Sequence, residues 1–117
     1  MISKGQIVEV SFRFQDGTVK IHPALIVSDT ISDSISGDFF YALLISTKNY
    51  FPEYAVEITD DMTFPPMSRQ SYLVTHQLDK VATEDIMQAR GSMKKSYLDS
   101  LLAKSIGIIF GYDLEVE

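Results

Sequence analysis

The sequence predicts a mainly β domain: a small, strongly twisted antiparallel sheet or barrel closed by one C-terminal helix. Three observations predict it. Residues 7–14, IVEVSFRF, alternate apolar with polar in the two-residue period of a half-buried strand. Asp16-Gly17 stands between that run and a second apolar-patterned run, and Gly accepts the positive φ that a tight hairpin demands. Near the other end, Tyr97, Leu98, Leu101, Leu102, Ile108 and Ile109 fall near helical spacing ahead of Gly111, which suits a helix stop.

The remaining elements come in order. Residues 18–28 return as the second strand and end in Ala24-Leu25-Ile26-Val27, a continuous apolar run that predicts burial on both faces. Pro23 has no N–H to give, so this strand must bulge or lie at an edge there. Residues 29–37, DTISDSISG, are polar and turn-rich and predict a mobile surface loop. Residues 38–45 form a third strand closed by Ser46-Thr47-Lys48-Asn49, residues 54–58 a fourth, and residues 71–78 a fifth. Residues 62–67 contain Pro65-Pro66 and predict loop. Residues 77–90 fit either a strand or a short helix. Ser92 and Ser96 are candidate caps for the helix. Such a sheet leaves edges that a second subunit often covers, so a homodimer is expected.

Composition limits the chemistry. The 117 residues suit one domain, 1–117, with a core supported by 45% hydrophobic content. No apolar run is long enough to span a bilayer, and residues 1–5, MISKG, open no signal region, which predicts a cytoplasmic protein without a membrane role. With no cysteine there is no thiolate ligand or cysteine nucleophile, and His22 and His76 are the only imidazoles. No ligand spacing suggests a metal site, and no cofactor is expected. Ten basic residues against sixteen acidic ones give a net charge of −6. Nucleic-acid affinity comes largely from neutralised phosphates, so any RNA-binding role must gather the few cations into one groove. Acidic side chains concentrate over 57–61, at Glu84 and Asp85, and in the tail at Asp113, Glu115 and Glu117.

Five segments, in order and compatibly spaced, carry a family resemblance. They are Gly5-Gln6-Ile7-Val8 through Asp16-Gly17, His22-Pro23-Ala24-Leu25-Ile26-Val27-Ser28, Leu44-Ile45-Ser46-Thr47-Lys48, Ser71-Tyr72-Leu73-Val74 with His76-Gln77-Leu78, and Ala89-Arg90-Gly91 before the helix. Together they resemble the MazF/PemK-type toxins from about Gly5 to Ile109. That resemblance implies an SH3-like barrel and the toxin half of a type II toxin–antitoxin pair. It implies a dimer, a cognate antitoxin, and an endoribonuclease that cuts single-stranded RNA without a metal through attack of the 2′-hydroxyl on its own phosphodiester. It places the chemistry on the residue before the proline, here His22, and on the hydroxyl ending the third strand, here Ser46 or Thr47. The family has arginine where this chain has His22. Arginine is a permanent bidentate phosphate partner, whereas histidine carries charge only below about pH 6.5 but can give and take a proton near neutrality.

Two readings of His22 stand side by side: a general acid or base facing RNA, or a strand residue that only bonds its neighbours. Ser46 and Thr47 either enter the site or satisfy the turn after a strand. Lys48, Lys20, Arg69 and His76 are the candidate RNA contacts, with Arg13 a further cation for the same groove. His76 approaching His22 would make an acid–base imidazole pair. Against the nuclease stands a catalytically inactive chain of the same fold that acts by binding a protein partner.

Overall fold

The computed structural model describes residues 2–112; the acidic tail residues Asp113, Glu115 and Glu117 lie outside the described residues. The described residues form nine strands and one α-helix. The strands are β1 (Gln6–Arg13), β2 (Val19–Ile26), β3 (Ile31–Asp33), β4 (Gly37–Ser46), β5 (Ala55–Ile58), β6 (Thr63–Phe64), β7 (Ser71–Val74), β8 (Asp79–Ala82) and β9 (Ile86–Met93), and the helix is α1 (Lys95–Phe110). All pairings are antiparallel, in the order β5-β7-β4-β2-β1-β9-β6, with β3 and β8 added alongside β4.

The expected first hairpin forms, and its turn is tied by Asp16, which accepts both the backbone N–H and the hydroxyl of Thr18. β4 is the spine. Its first half pairs with β3 and β8, its middle residues Ala42–Leu44 with β2, and its end, Ile45 and Ser46, with β7. Pro23 sits just beyond the stretch where β4 borders β2, so its missing donor falls at a sheet edge.

Alternation along these strands builds two cores. On one face Ile7, Leu25, Leu43, Ile45 and Leu73 pack beneath Leu98 and Leu101 of the helix. On the other face Val8, Val10, Ala24, Ile26, Phe40 and Val81 form a second cluster. Each fully buried aliphatic side chain contributes about 1.5–3 kcal/mol, so these two clusters carry most of the stability. The helix is also bonded in place: buried Ser105 donates to the Thr75 carbonyl at 2.7 Å, and the Tyr97 hydroxyl donates to Asp61.

Several expectations are corrected. The loop predicted over 29–37 contains β3, which turns back on β4 because Asp33 accepts the N–H groups of Ile35 and Ser36. The loop predicted over 62–67 contains β6. The fifth strand ends at Val74 rather than at residue 78, and the ambiguous stretch after it divides into β8, a 3-10 turn over Thr83–Asp85, and β9. Neither serine caps the helix. Ser92 is paired within β9, Ser96 lies inside the first turn, and Lys94 occupies the cap position, its N–H given to the Met62 carbonyl at 2.9 Å. Gly111 ends the helix in the left-handed conformation, as expected.

Two irregularities interrupt the ladder around β1. β9 carries bulges against it: Ile7 faces Gly91 and Val8 faces Ala89, so Arg90 is the unpaired extra residue. Beyond Val10 neither β9 nor β4 borders the first hairpin, so Ser11–Arg13 and Val19–Ile21 form a ribbon of only two strands. Gly91 lets the 64–65 segment press against β9, since a Cβ there would stand 2.8 Å from the Phe64 carbonyl oxygen and 3.0 Å from Pro65. Gly91→Ala is therefore expected to cost about 1–3 kcal/mol, read as a lower urea midpoint at unchanged slope.

Candidate active site

A hollow of about 400 Å³ lies beside the point where β2 and β4 stop pairing. β4 borders β2 on one edge only through Ala24–Ile26, and its end pairs with β7 on the other edge. The hollow is bounded by Ile21 and Pro23 of β2, Thr47 just past β4, and Ser71 at the head of β7. The segment Pro65–Arg69, Ile7 and Glu9 of β1, and Arg90 and Gly91 of β9 complete its lining, with Pro65 packed against Gly91. Its size falls in the range of small-ligand pockets, about 300–1,000 Å³.

The cleft gathers charge that the composition dilutes. Arg69 and Arg90 both line it. The bulge at Arg90 turns that side chain beside Glu9, whose Oε1 accepts from the Arg90 Nε and, at 2.7 Å, from Gln88. The hydrogen bond from Gln88, then that from Arg90, holds the Glu9 carboxyl below the usual carboxylate range. Arg69 is exposed and forms no ion pair among the described residues. Two guanidinium groups, one paired and one free, with a threonine hydroxyl at the same hollow, suit a phosphodiester.

The expected site residues separate. Thr47 and Arg69 reach the cleft. Ser46 does not line it; its hydroxyl accepts the Lys48 N–H at 3.1 Å and so serves the turn. His22 is likewise absent from the cleft walls. Successive strand residues point to opposite faces, and with Ile21 and Pro23 facing the cleft His22 faces away. Its ring lies edge-on to Phe12 and Phe14, with centroids 6.4 and 5.8 Å away. Lys20 shares that side, its Nζ 5.8 Å from the Phe14 ring centroid. Lys48 is exposed and lies 5.9 Å from the Tyr50 ring. His76 stacks on Tyr54 at 4.5 Å and meets Phe51 edge-on at 4.7 Å, while its Nδ1 is buried without a hydrogen-bond partner. The two imidazoles thus sit in separate aromatic clusters and form no pair. Glu9 was not named as a site residue by sequence, and Arg90 entered only within the Ala89-Arg90-Gly91 segment before the helix. A charged residue amid the apolar alternation of β1 was the available signal for Glu9; nothing local marks a bulge at Arg90. Among the described residues, no group of three or more histidine and carboxylate side chains converges in a way that could hold a metal, and no helix is long and apolar enough to cross a membrane.

A family model described as "PemK-like, MazF-like toxin of type II toxin-antitoxin system" matches residues 3–109. No curated protein matches the sequence. Among solved structures, the chain is similar to an endoribonuclease in complex with its cognate antitoxin from a mycobacterial species, with a TM-score of 0.69 and 12% identity over 98% of this chain and 100% of that one. It is also similar to the Mycobacterium tuberculosis toxin MazF-mt6, with a TM-score of 0.64 and 17% identity over 93% of this chain and 99% of that one. At these identities the likeness to the two structures is one of fold: a mostly antiparallel sheet with one C-terminal helix.

His22 also sets a pH dependence. Burial first, and the charge of Lys20 second, lower its pKa from the ordinary 6.5. The unfolded chain then binds a proton that the folded chain resists, so stability is lost as pH falls below about 6.5 and is unaffected above it. Urea denaturation of the wild type and His22→Phe between pH 8 and 5 is expected to show the variant gaining relative stability only in the acid half of that range.

Proposed function

Because the chain belongs to the PemK-like, MazF-like toxins of type II toxin–antitoxin systems, we propose that its cleft binds single-stranded RNA and cleaves it by attack of a ribose 2′-hydroxyl on the adjacent phosphorus. The observation that carries this reading is the meeting of Thr47, Arg69 and Arg90 at one hollow. The attacking oxygen is supplied by the substrate itself, on the ribose carbon next to the one that bears the phosphodiester. The protein's task is therefore to orient, to move protons and to steady charge on phosphorus. Arg69 and Arg90 neutralise the non-bridging oxygens, and the Thr47 hydroxyl donates to one of them as its negative charge grows. The phosphate-holding role that the resemblance assigns to an arginine before Pro23 falls here on these two arginines. The reaction yields a 2′,3′-cyclic phosphate and a free 5′-hydroxyl and runs without a metal.

In this reading the chain works in the cytoplasm as a homodimer and is held in check by a cognate antitoxin. A second reading has its own support. The rim formed by Pro65, Pro66 and Met67 is apolar, and the neighbouring Phe64 is 74% exposed. Such a lip suits a protein partner, and an inactive cleft that only binds protein would use it.

Incubation with single-stranded RNA in excess chelator separates the two. Cleavage to cyclic-phosphate ends is expected from the wild type, with Thr47→Ala lowering kcat/KM about 10²–10³-fold, the usual cost of one oxyanion donor. Arg69→Ala is expected to weaken binding and to reduce the slope of log affinity against log salt by about 1. An intact panel of varied RNAs, together with capture of a folded partner at the Phe64–Met67 lip, would instead establish the binding reading.

A further inference from the structure

The 2′-hydroxyl cannot attack without a proton acceptor, and the placement of His22 takes the imidazole out of that role. Among the cleft-lining side chains only Glu9, Arg69 and Arg90 are ionised near neutral pH. Arginine does not give up its proton in proteins, and threonine and serine hydroxyls are no bases at that pH. That leaves a single carboxylate.

Its setting suits the task. Glu9 sits on β1 with its side chain 19% exposed, against 60% for Arg90, so the carboxylate is recessed in the wall while its cation reaches outward. Both of its hydrogen bonds fall on one oxygen: Gln88 donates to Oε1 at 2.7 Å and Arg90 Nε donates to the same atom. Oε2 has no hydrogen-bond partner among the described residues. One oxygen is pinned and the other is left free to accept. A group that served only to tie β1 to β9 has no need to stand in a cleft that also holds Thr47 and Arg69.

Resting on the endoribonuclease reading above, we propose that Glu9 is the general base of this cleft, taking the proton from the attacking 2′-hydroxyl while Arg90 holds both the carboxylate and the phosphate. The proton passes from O2′ to Glu9 Oε2 as the O2′–P bond forms. The P–O5′ bond breaks, and the departing 5′ oxygen takes a proton from water. Glu9 then returns its proton to solvent, so atoms and charge balance. The hydrogen bonds from Gln88 and Arg90 favour the ionised form, which keeps the group in the accepting state at neutral pH at some cost in basicity. The charged groups lining the cleft with it are Arg90 on its neighbouring strand and Arg69; both stay protonated throughout, and β2 presents only Ile21 and Pro23.

The test compares wild type, Glu9→Gln and Glu9→Asp under single turnover on a defined single-stranded RNA. Affinity is measured separately on the same RNA carrying a 2′-deoxyribose at the cleaved position. Gln keeps an oxygen to accept from Gln88 and Arg90, so folding is retained, as thermal melts would confirm. Glu9→Gln is expected to slow cleavage about 10²–10⁴-fold, the range of a lost general base, with deoxy-RNA binding unchanged or tighter. Wild-type log rate is expected to bend downward as pH falls into the carboxylate range, a bend the Gln variant lacks, and Asp is expected to restore part of the rate. Cleavage by Glu9→Gln within a few-fold of wild type would overturn the assignment while leaving the nuclease reading standing. Loss of binding in step with rate would also overturn it, making Glu9 a structural partner of Arg90. A wild type that cuts no RNA would overturn both.

Discussion

The site depends on where one ladder stops. β4 gives only three residues to β2 along one edge, while its end pairs with β7 along the other. Past Ala24 and Leu44 the facing edges of β2 and β4 are no longer paired, and the cleft lies beside that break. Everything else is fitted around it. Pro23, which cannot donate, stands where β2 has lost that neighbour. Thr47 is carried to the mouth by the end of the same strand that parts. The helix covers the inner face with Leu98 and Leu101 and leaves the gap uncovered.

Much of the fold was legible because its signals are local. Alternation in β1, the Asp16-Gly17 turn and the stop at Gly111 each rest on the chemistry of a few adjacent residues. What escaped was decided by distant partners. β3 and β6 are strands of three and two residues that exist only because β4 and β9 offer them edges. The face of His22 was hidden by the continuous apolar run after it. When Ala24 and Leu25 are both buried, the sequence does not say which of them shares a side with the imidazole. The bulge at Arg90 is a mismatch between two strands some eighty residues apart, and no single segment records it. Thus, of the residues the sequence proposed, Thr47 from the motif segment and Arg69 from the basic residues line one hollow, while the residue standing where the family has arginine lies with aromatic rings on the opposite face.

The acidic total of the chain weighs less than its size suggests. Salt screens separated surface charges over about 8–10 Å, so a phosphate in the cleft responds mainly to the guanidinium groups beside it. The tie between Glu9 and Arg90 tempers that local field, leaving Arg69 as the cation of the hollow that has no ion pair among the described residues. In the proposed RNA-binding role, an acidic surface with two arginines gathered at one hollow favours discrimination over indiscriminate adhesion.

The two-stranded ribbon at the tip of the first hairpin has a mechanical consequence. Ile21, one bank of the hollow, belongs to this ribbon, which is steadied by the packing of Phe12, Phe14 and His22 rather than by a third strand. Isolated ribbons of this kind are marginal in water and open at lower cost than the sheet behind them. The opposite bank, pressed backbone to backbone at Gly91, has no such slack. The entrance therefore has one pliant bank and one fixed one, so any widening of the hollow falls first on the hairpin tip while the sheet behind it keeps its place.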